Sequence, residues 1–112
     1  MKKIKSSEIF EGSFRTTSKQ CIEEGYKIAT LSELGQLIKS NKIPKQYYNT
    51  GEVLFNYKIR KITKEEIYNI DEFIKNGGRV AYLYNWYSDS YFSACNRSVD
   101  DGNGRLVGVK YK

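Results

Sequence analysis

The chain has 112 residues, a formal net charge of +6, ten tyrosines, two cysteines and no histidine. That length suits one domain with a single modest core. The missing histidine excludes every histidine-based triad and, with only Cys21 and Cys95 as soft ligands, a zinc site of ordinary spacing.

No apolar run approaches the roughly 20 residues of a membrane span, and "MKKIKSSEIFEG" lacks the apolar stretch of a signal peptide. The expectation is a chain without a membrane span, cytoplasmic or virion-associated. Cys21 and Cys95 read as two reduced, partly buried thiols rather than as a disulfide.

In chain order, three Thr-x-x-Glu/Gln boxes mark helix starts: Thr17 with Gln20, Thr30 with Glu33, and Thr63 with Glu66. The first helix is short and ends at Gly25. The second carries Leu31, Leu34, Leu37 and Ile38 at helical spacing and stops before Pro44. "EVLFNYKIRKI" alternates Val53, Phe55, Tyr57 and Ile59 with polar neighbours, as a half-buried strand or hairpin arm does. The third helix carries Ile67, Ile70, Phe73 and Ile74 and ends at Gly77 and Gly78.

From there the pattern is strand-like: "RVAYLYNW", "YFSACNRSV" and "RLVGVKY", with "DDGNG" predicting an antiparallel hairpin between the last two. The predicted class is α+β, two or three helices packed on a small, mostly antiparallel sheet, over one domain of residues 1–112. Val80, Leu83, Phe92, Leu106, Val107 and Val109 are the expected core or scaffold packing of its second half, with an exposed anchor as the alternative for Phe92.

The positive charge is unevenly spread. Residues 1–79 hold 15 basic against 10 acidic residues, +5, whereas residues 80–109 hold Arg97 and Arg105 against Asp89, Asp100 and Asp101, −1. Surfaces for nucleic acid interleave cations with aromatic rings, so this separation argues against such a partner.

Catalytic readings find little support. Ser88, Ser90, Ser93 and Ser98 have no histidine to activate them. Glu23 with Glu24 and Glu65 with Glu66 are neighbours on helices, where adjacent side chains do not share a face, and read as solvated charge. "DDGNG" offers oxygen atoms but not the spacing of an EF-hand loop, and turn chemistry accounts for it. No phosphate-binding glycine loop occurs, so no metal or cofactor is expected.

The segment "YLYNWYSDSYFSACNRSVDDGNG", residues 82–104, is written in another alphabet. Residues 80–109 lack Lys, Glu, Gln and Met entirely, although these make up 25 of the first 79 residues. Strand preference explains a shortage of charge, but it also favours Val, Ile and Thr, and residues 81–105 contain one Val and no Ile or Thr. Tyr, Ser, Asn and Asp in their place are the composition of an antibody paratope: rigid amphipathic rings with adaptable hydrogen-bonding neighbours.

From about Thr17 onward the chain also resembles a known family. "GYKIATLSELGQLI" resembles the segment that opens the second helix of bacterial and phage domains with the C-type lectin fold, with Ala29 where proline is usual. "NWYSD" and "DGNGRLVGVK" follow in the order those domains show. Within that fold, residues 82–104 resemble the variable region of a diversity-generating retroelement target protein. There, mutated asparagine codons reach most amino acids but never Lys, Glu, Gln, Met or Trp. From Tyr84 to Asp101 only Trp86 falls outside that set, which suits an unvaried core anchor.

The resemblance implies a non-enzymatic binding protein in an archaeal or viral setting. Its partner would be a varied macromolecule, commonly a protein. The ligand face it implies is Asn85, Tyr87, Asp89, Ser90, Tyr91, Ser93, Asn96, Ser98 and Asp101. Calcium-dependent sugar binding is not implied, because no Glu-Pro-Asn or Gln-Pro-Asp triplet occurs. The competing expectation is a small basic nucleic-acid-binding protein using Lys2, Lys3, Lys5, Lys58, Arg60 and Lys61.

Overall fold

The computed structural model describes residues 3–86 and 89–111, and among these the side chains other than those of residues 84–92, 97 and 98. Strand β1 (Ile4–Glu11) leads into helix α1 (Phe14–Glu23), the short strand β2 (Lys27–Ile28) and helix α2 (Leu31–Lys39). Next come the hairpin of β3 (Tyr48–Phe55) and β4 (Lys58–Lys61), and the short helices α3 (Lys64–Tyr68) and α4 (Ile70–Lys75). Strands β5 (Arg79–Trp86) and β6 (Asp89–Cys95), a single turn α5 (Arg97–Asp100) and strand β7 (Arg105–Tyr111) complete the described chain.

The strands form one sheet in the order β1-β7-β3-β5-β6, with β2 against β7 and β4 against β3. Pairing is antiparallel except for a single parallel bridge between Asn49 of β3 and Leu106 of β7. The mixed α+β class agrees with expectation. The sheet is larger than expected, and helices cover both of its faces.

Alternation along each strand sorts the apolar side chains into two cores. Phe10, Val53, Val80 and Leu106 meet Phe14 and Cys21 of α1, Ile67, Ile70 and Phe73 of α3 and α4, and Val99 of α5. On the opposite face Tyr48, Leu83, Val107 and Val109 meet Leu34, Leu37 and Ile38 of α2. Five of the six residues expected in the core of the second half are buried; the side chain of the sixth, Phe92, lies outside those described.

Two of the three capping boxes form as expected. Thr30 Oγ1 accepts from the Glu33 amide while the Glu33 carboxylate accepts from the Thr30 amide, and Thr63 and Glu66 do the same. The first helix is a correction: it starts at Phe14 behind Ser13, whose hydroxyl accepts from the Thr16 amide. Thr17 lies inside the helix and is buried, and its hydroxyl donates to the Ser13 carbonyl at 2.7 Å. The end of that helix is as expected, with Gly25 in the left-handed region at φ 86°. The third predicted helix is two short ones, broken at Asn69, whose φ of −126° and ψ of 44° depart from helical values.

Tyr57 is another correction. It belongs to no strand: Asn56 and Tyr57, at φ 52° and 63°, form the two-residue turn between Phe55 and Lys58. Left-handed angles at both central positions are those of a type I′ turn, which asparagine accepts readily and tyrosine does not. Tyr57 is fully exposed and its ring packs on nothing. Tyr57→Gly is therefore expected to stabilise the fold by about 1 kcal/mol, raising the thermal midpoint by several degrees in circular dichroism.

At the centre of the sheet the β3–β5 register shifts between Asn49 and Val53. The buried Thr50 hydroxyl bridges the gap by donating to the Ala81 carbonyl at 2.9 Å. The Gly51 amide donates to the Ala29 carbonyl, and the Gly51 carbonyl accepts from the Ile62 amide. A Cβ on Gly51 would stand 2.8 Å from the Ile28 carbonyl oxygen, which is backbone and cannot rotate away. Gly51→Ala should cost about 1–3 kcal/mol, read as a lower urea midpoint.

The two thiols are free. Burial, with Glu24 and Glu8 nearby, pushes the Cys21 thiol up to about 12, so this group is inert.

Candidate ligand-binding face

β5 and β6 form the outermost hairpin of the sheet, with Val80 opposite Cys95, Tyr82 opposite Ser93, Leu83 opposite Phe92, Tyr84 opposite Tyr91, Asn85 opposite Ser90 and Trp86 opposite Asp89. One register runs without a shift from the Val80–Cys95 pair to the Trp86–Asp89 pair. Tyr87 lies outside the described residues. The side chains of Asn85, Trp86, Asp89, Ser90, Tyr91 and Ser98 lie outside those described.

The register divides the candidate positions into two alternating sets. Asp89, Tyr91 and Ser93 belong with Tyr82, and Asn85 and Ser90 belong with Leu83. Ser93 is exposed, as expected of a contact residue. Asn96 is half-buried, and its side-chain oxygen is enclosed without a hydrogen bond among the described residues. Asp101 is exposed, and its Oδ1 accepts from the Asn103 amide at 2.9 Å, the turn chemistry anticipated for "DDGNG".

That loop does not join a hairpin, which corrects the sequence reading. β7 pairs with β1, β2 and β3, and not with β6. "RSVD" is the helical turn α5 rather than strand, and none of Gly102, Asn103 and Gly104 takes a left-handed angle.

Two anchors hold α5. Val99 is buried in the core beneath α1. On the outside, Arg15 of α1 reaches two carboxylates: Nε donates to Asp100 at 2.8 Å, and Nη1 and Nη2 donate to Asp71 at 3.0 and 2.8 Å. The guanidinium holds both carboxyls below their ordinary range. One side chain thereby ties α1, α4 and the turn beyond β6 together.

Sequence reasoning passed over Tyr82 within this hairpin and two residues beside it, Tyr47 and Arg105. The Tyr47 and Tyr82 rings lie 5.1 Å apart, beside exposed Ser93. The Tyr47 hydroxyl donates to Asn49 Oδ1 at 3.2 Å, and Arg105 Nη1 donates to the Tyr47 carbonyl at 3.2 Å. Tyr82 was within reach of the sequence, since a two-residue hairpin centred on Tyr87 and Ser88 puts it opposite Ser93. Tyr47 and Arg105 come from distant segments and had no local signal.

Comparison with protein-family models, with curated proteins and with solved structures found no match.

The basic residues of the competing expectation are differently employed. Lys2 lies outside the described residues. Arg60 makes a two-pronged pair with Glu66, Nη1 to Oε1 at 2.8 Å and Nη2 to Oε2 at 2.6 Å, and its guanidinium lies 5.6 Å from the Phe55 ring centre. With the Thr63 cap also donating, the Glu66 carboxyl is lowered to about 2. A depressed carboxyl stabilises the fold above its unfolded value, near 4.5, and that contribution fades as pH falls toward 2. Between those limits the thermal midpoint of Glu66→Gln should fall less steeply with acidification than that of the parent chain.

Proposed function

We propose that this chain is a non-enzymatic binding domain of C-type lectin type. Its ligand face, built on the β5–β6 hairpin, α5 and the loop before β7, carries one sample of a repertoire diversified by adenine-directed retroelement mutagenesis. The observation that carries the reading is a coincidence of composition with architecture. Residues 82–104, where Lys, Glu, Gln and Met vanish, make up the outermost hairpin of the sheet and the turn and loop that follow it. Within that stretch, β5 is paired to β3 and Leu83 and Val99 are core residues, while β6 and the loop before β7 lie at the edge, where substitution costs the core little. The family-like segment "GYKIATLSELGQLI" spans the entry to α2 and most of that helix, and the Thr30–Glu33 box closes its first turn.

Affinity comes from tyrosine rings that exclude water, with Ser, Asn and Asp fixing orientation through hydrogen bonds. The partner is a protein, commonly one displayed on another cell or a virus. Sequencing the DNA around the gene tests the reading. A near-copy of the 3′ end, differing at adenines and beside a reverse transcriptase, is expected; its absence leaves an ordinary binding module. The nucleic-acid alternative makes a different forecast, a steep salt dependence of binding to random nucleic acid that weakens when Lys58 and Lys61 are changed to Ala.

A further inference from the structure

We infer that β1 is a self-association edge, joining two copies of this chain through antiparallel β1–β1 pairing at the end of the sheet opposite the hairpin. The strand order ends with β1 on one side and β6 on the other. β1 is eight residues long, and β7 occupies one of its edges, leaving the other edge without a strand among the described residues. An unpaired edge of that length is a ready template for another strand.

The occupant is specified by charge. Lys3 and Lys5 lie at one end of this stretch and Glu8 and Glu11 at the other; all four are exposed, and none has an ion-pair partner among the described residues, although Glu8 accepts a hydrogen bond from the Tyr26 hydroxyl. A second copy running antiparallel lays each basic end along an acidic end. Faces match across two paired strands when the two-fold axis stands normal to the sheet, so each axis position sets one residue against its own copy. With the axis at Ser7, Ser6 stands against Glu8, Lys3 lies along the stretch ending in Glu11, and no two like charges are opposed. An axis at Glu8 would oppose two carboxylates.

A groove of about 530 Å³ flanks the basic end, between β1 and α2. Lys3, Lys5 and Lys42 line it together with serines of β1 and residues of α2, and it contains no carboxylate. In the paired arrangement the acidic end of the second copy lies alongside that groove. Lysines and the register irregularity between Ile4 and Ser6 also discourage strand addition. They select against an uncharged or basic strand, while a strand ending in Glu11, which lies on the Ile9 face of β1, meets them favourably.

The inference is independent of the ligand reading. Its geometric result is one continuous sheet across the two-fold axis, with the two β5–β6 hairpins at its far ends.

Sedimentation of the 112-residue chain over a range of concentrations tests it. The parent is expected to pass from one-chain to two-chain mass, with the transition moving to higher concentration as salt is added. The Lys3→Glu/Lys5→Glu chain and the Glu8→Lys/Glu11→Lys chain should each associate at least about tenfold more weakly, while their equimolar mixture returns to two-chain mass. Circular dichroism melts establish that both fold. Amide exchange in the parent supplies a readout free of mutation: residues from Lys5 to Ile9 should exchange more slowly as concentration rises. A parent that keeps one-chain mass throughout overturns the inference. So does charge reversal without effect on association, or a mixture of folded variants that stays monomeric.

Discussion

Phe14→Ala should lower the free energy of unfolding by about 3–5 kcal/mol, a large part of the total for a domain of this size. Phe14 is the first residue of α1, its side chain is fully buried, and it belongs to the core shared by the sheet, α3, α4 and α5. Removing the ring takes away its burial and leaves a void where helices of different directions converge, so collapse is incomplete. In urea the midpoint should fall with the slope unchanged, and Phe14→Leu, which keeps most of the volume, should lose less than about 1.5 kcal/mol. A loss below 1 kcal/mol for the alanine variant would show that this junction is not a packed core.

The second large effect concerns binding. Changing Tyr87 and Tyr91 together to Ala should weaken binding of a protein partner, recovered on the immobilised parent chain, by on the order of 100-fold or more, because interface tyrosines are commonly worth about 2 kcal/mol each. The same variant should keep the parent's thermal midpoint. A collapse of that midpoint would make the tyrosines part of the fold. Unchanged binding and an unchanged midpoint would place the ligand elsewhere.

How much of this was legible in the sequence follows from the range of the forces involved. Thr30 with Glu33 and Thr63 with Glu66 are three residues apart, and the reciprocal hydrogen bonds that start α2 and α3 need nothing else. Thr17 and Gln20 have the same spacing, yet Ser13 caps first and the Thr17 hydroxyl turns back into the helix. β1 escaped because an irregularity after Ile4 breaks its alternation: Ile4 and Ile9 are an odd number of residues apart and pack against the same core. The partners of β7 were hidden for another reason. Its register with β1 and β3 joins segments about a hundred and about sixty residues away, which no local pattern encodes. For the proposed ligand face, composition singled out a continuous stretch of chain, but could not supply Tyr47 or Arg105, which the fold brings beside it from distant segments.

Under the adenine-directed mutagenesis proposed above, the two anchors of α5 would have different genetic fates. Every valine codon begins with guanine and thymine, so the inward anchor at Val99 can be written without an adenine and would pass intact through such a step. Every aspartate codon has adenine at its centre, so Asp100, which meets Arg15 from α5, would be exposed to that proposed step and could become Gly, Ala or Val in sibling chains. A population drawn from this gene would therefore inherit the oily peg and lose the ionic latch at random. Its members would share one architecture while differing in how firmly the turn after β6 is held.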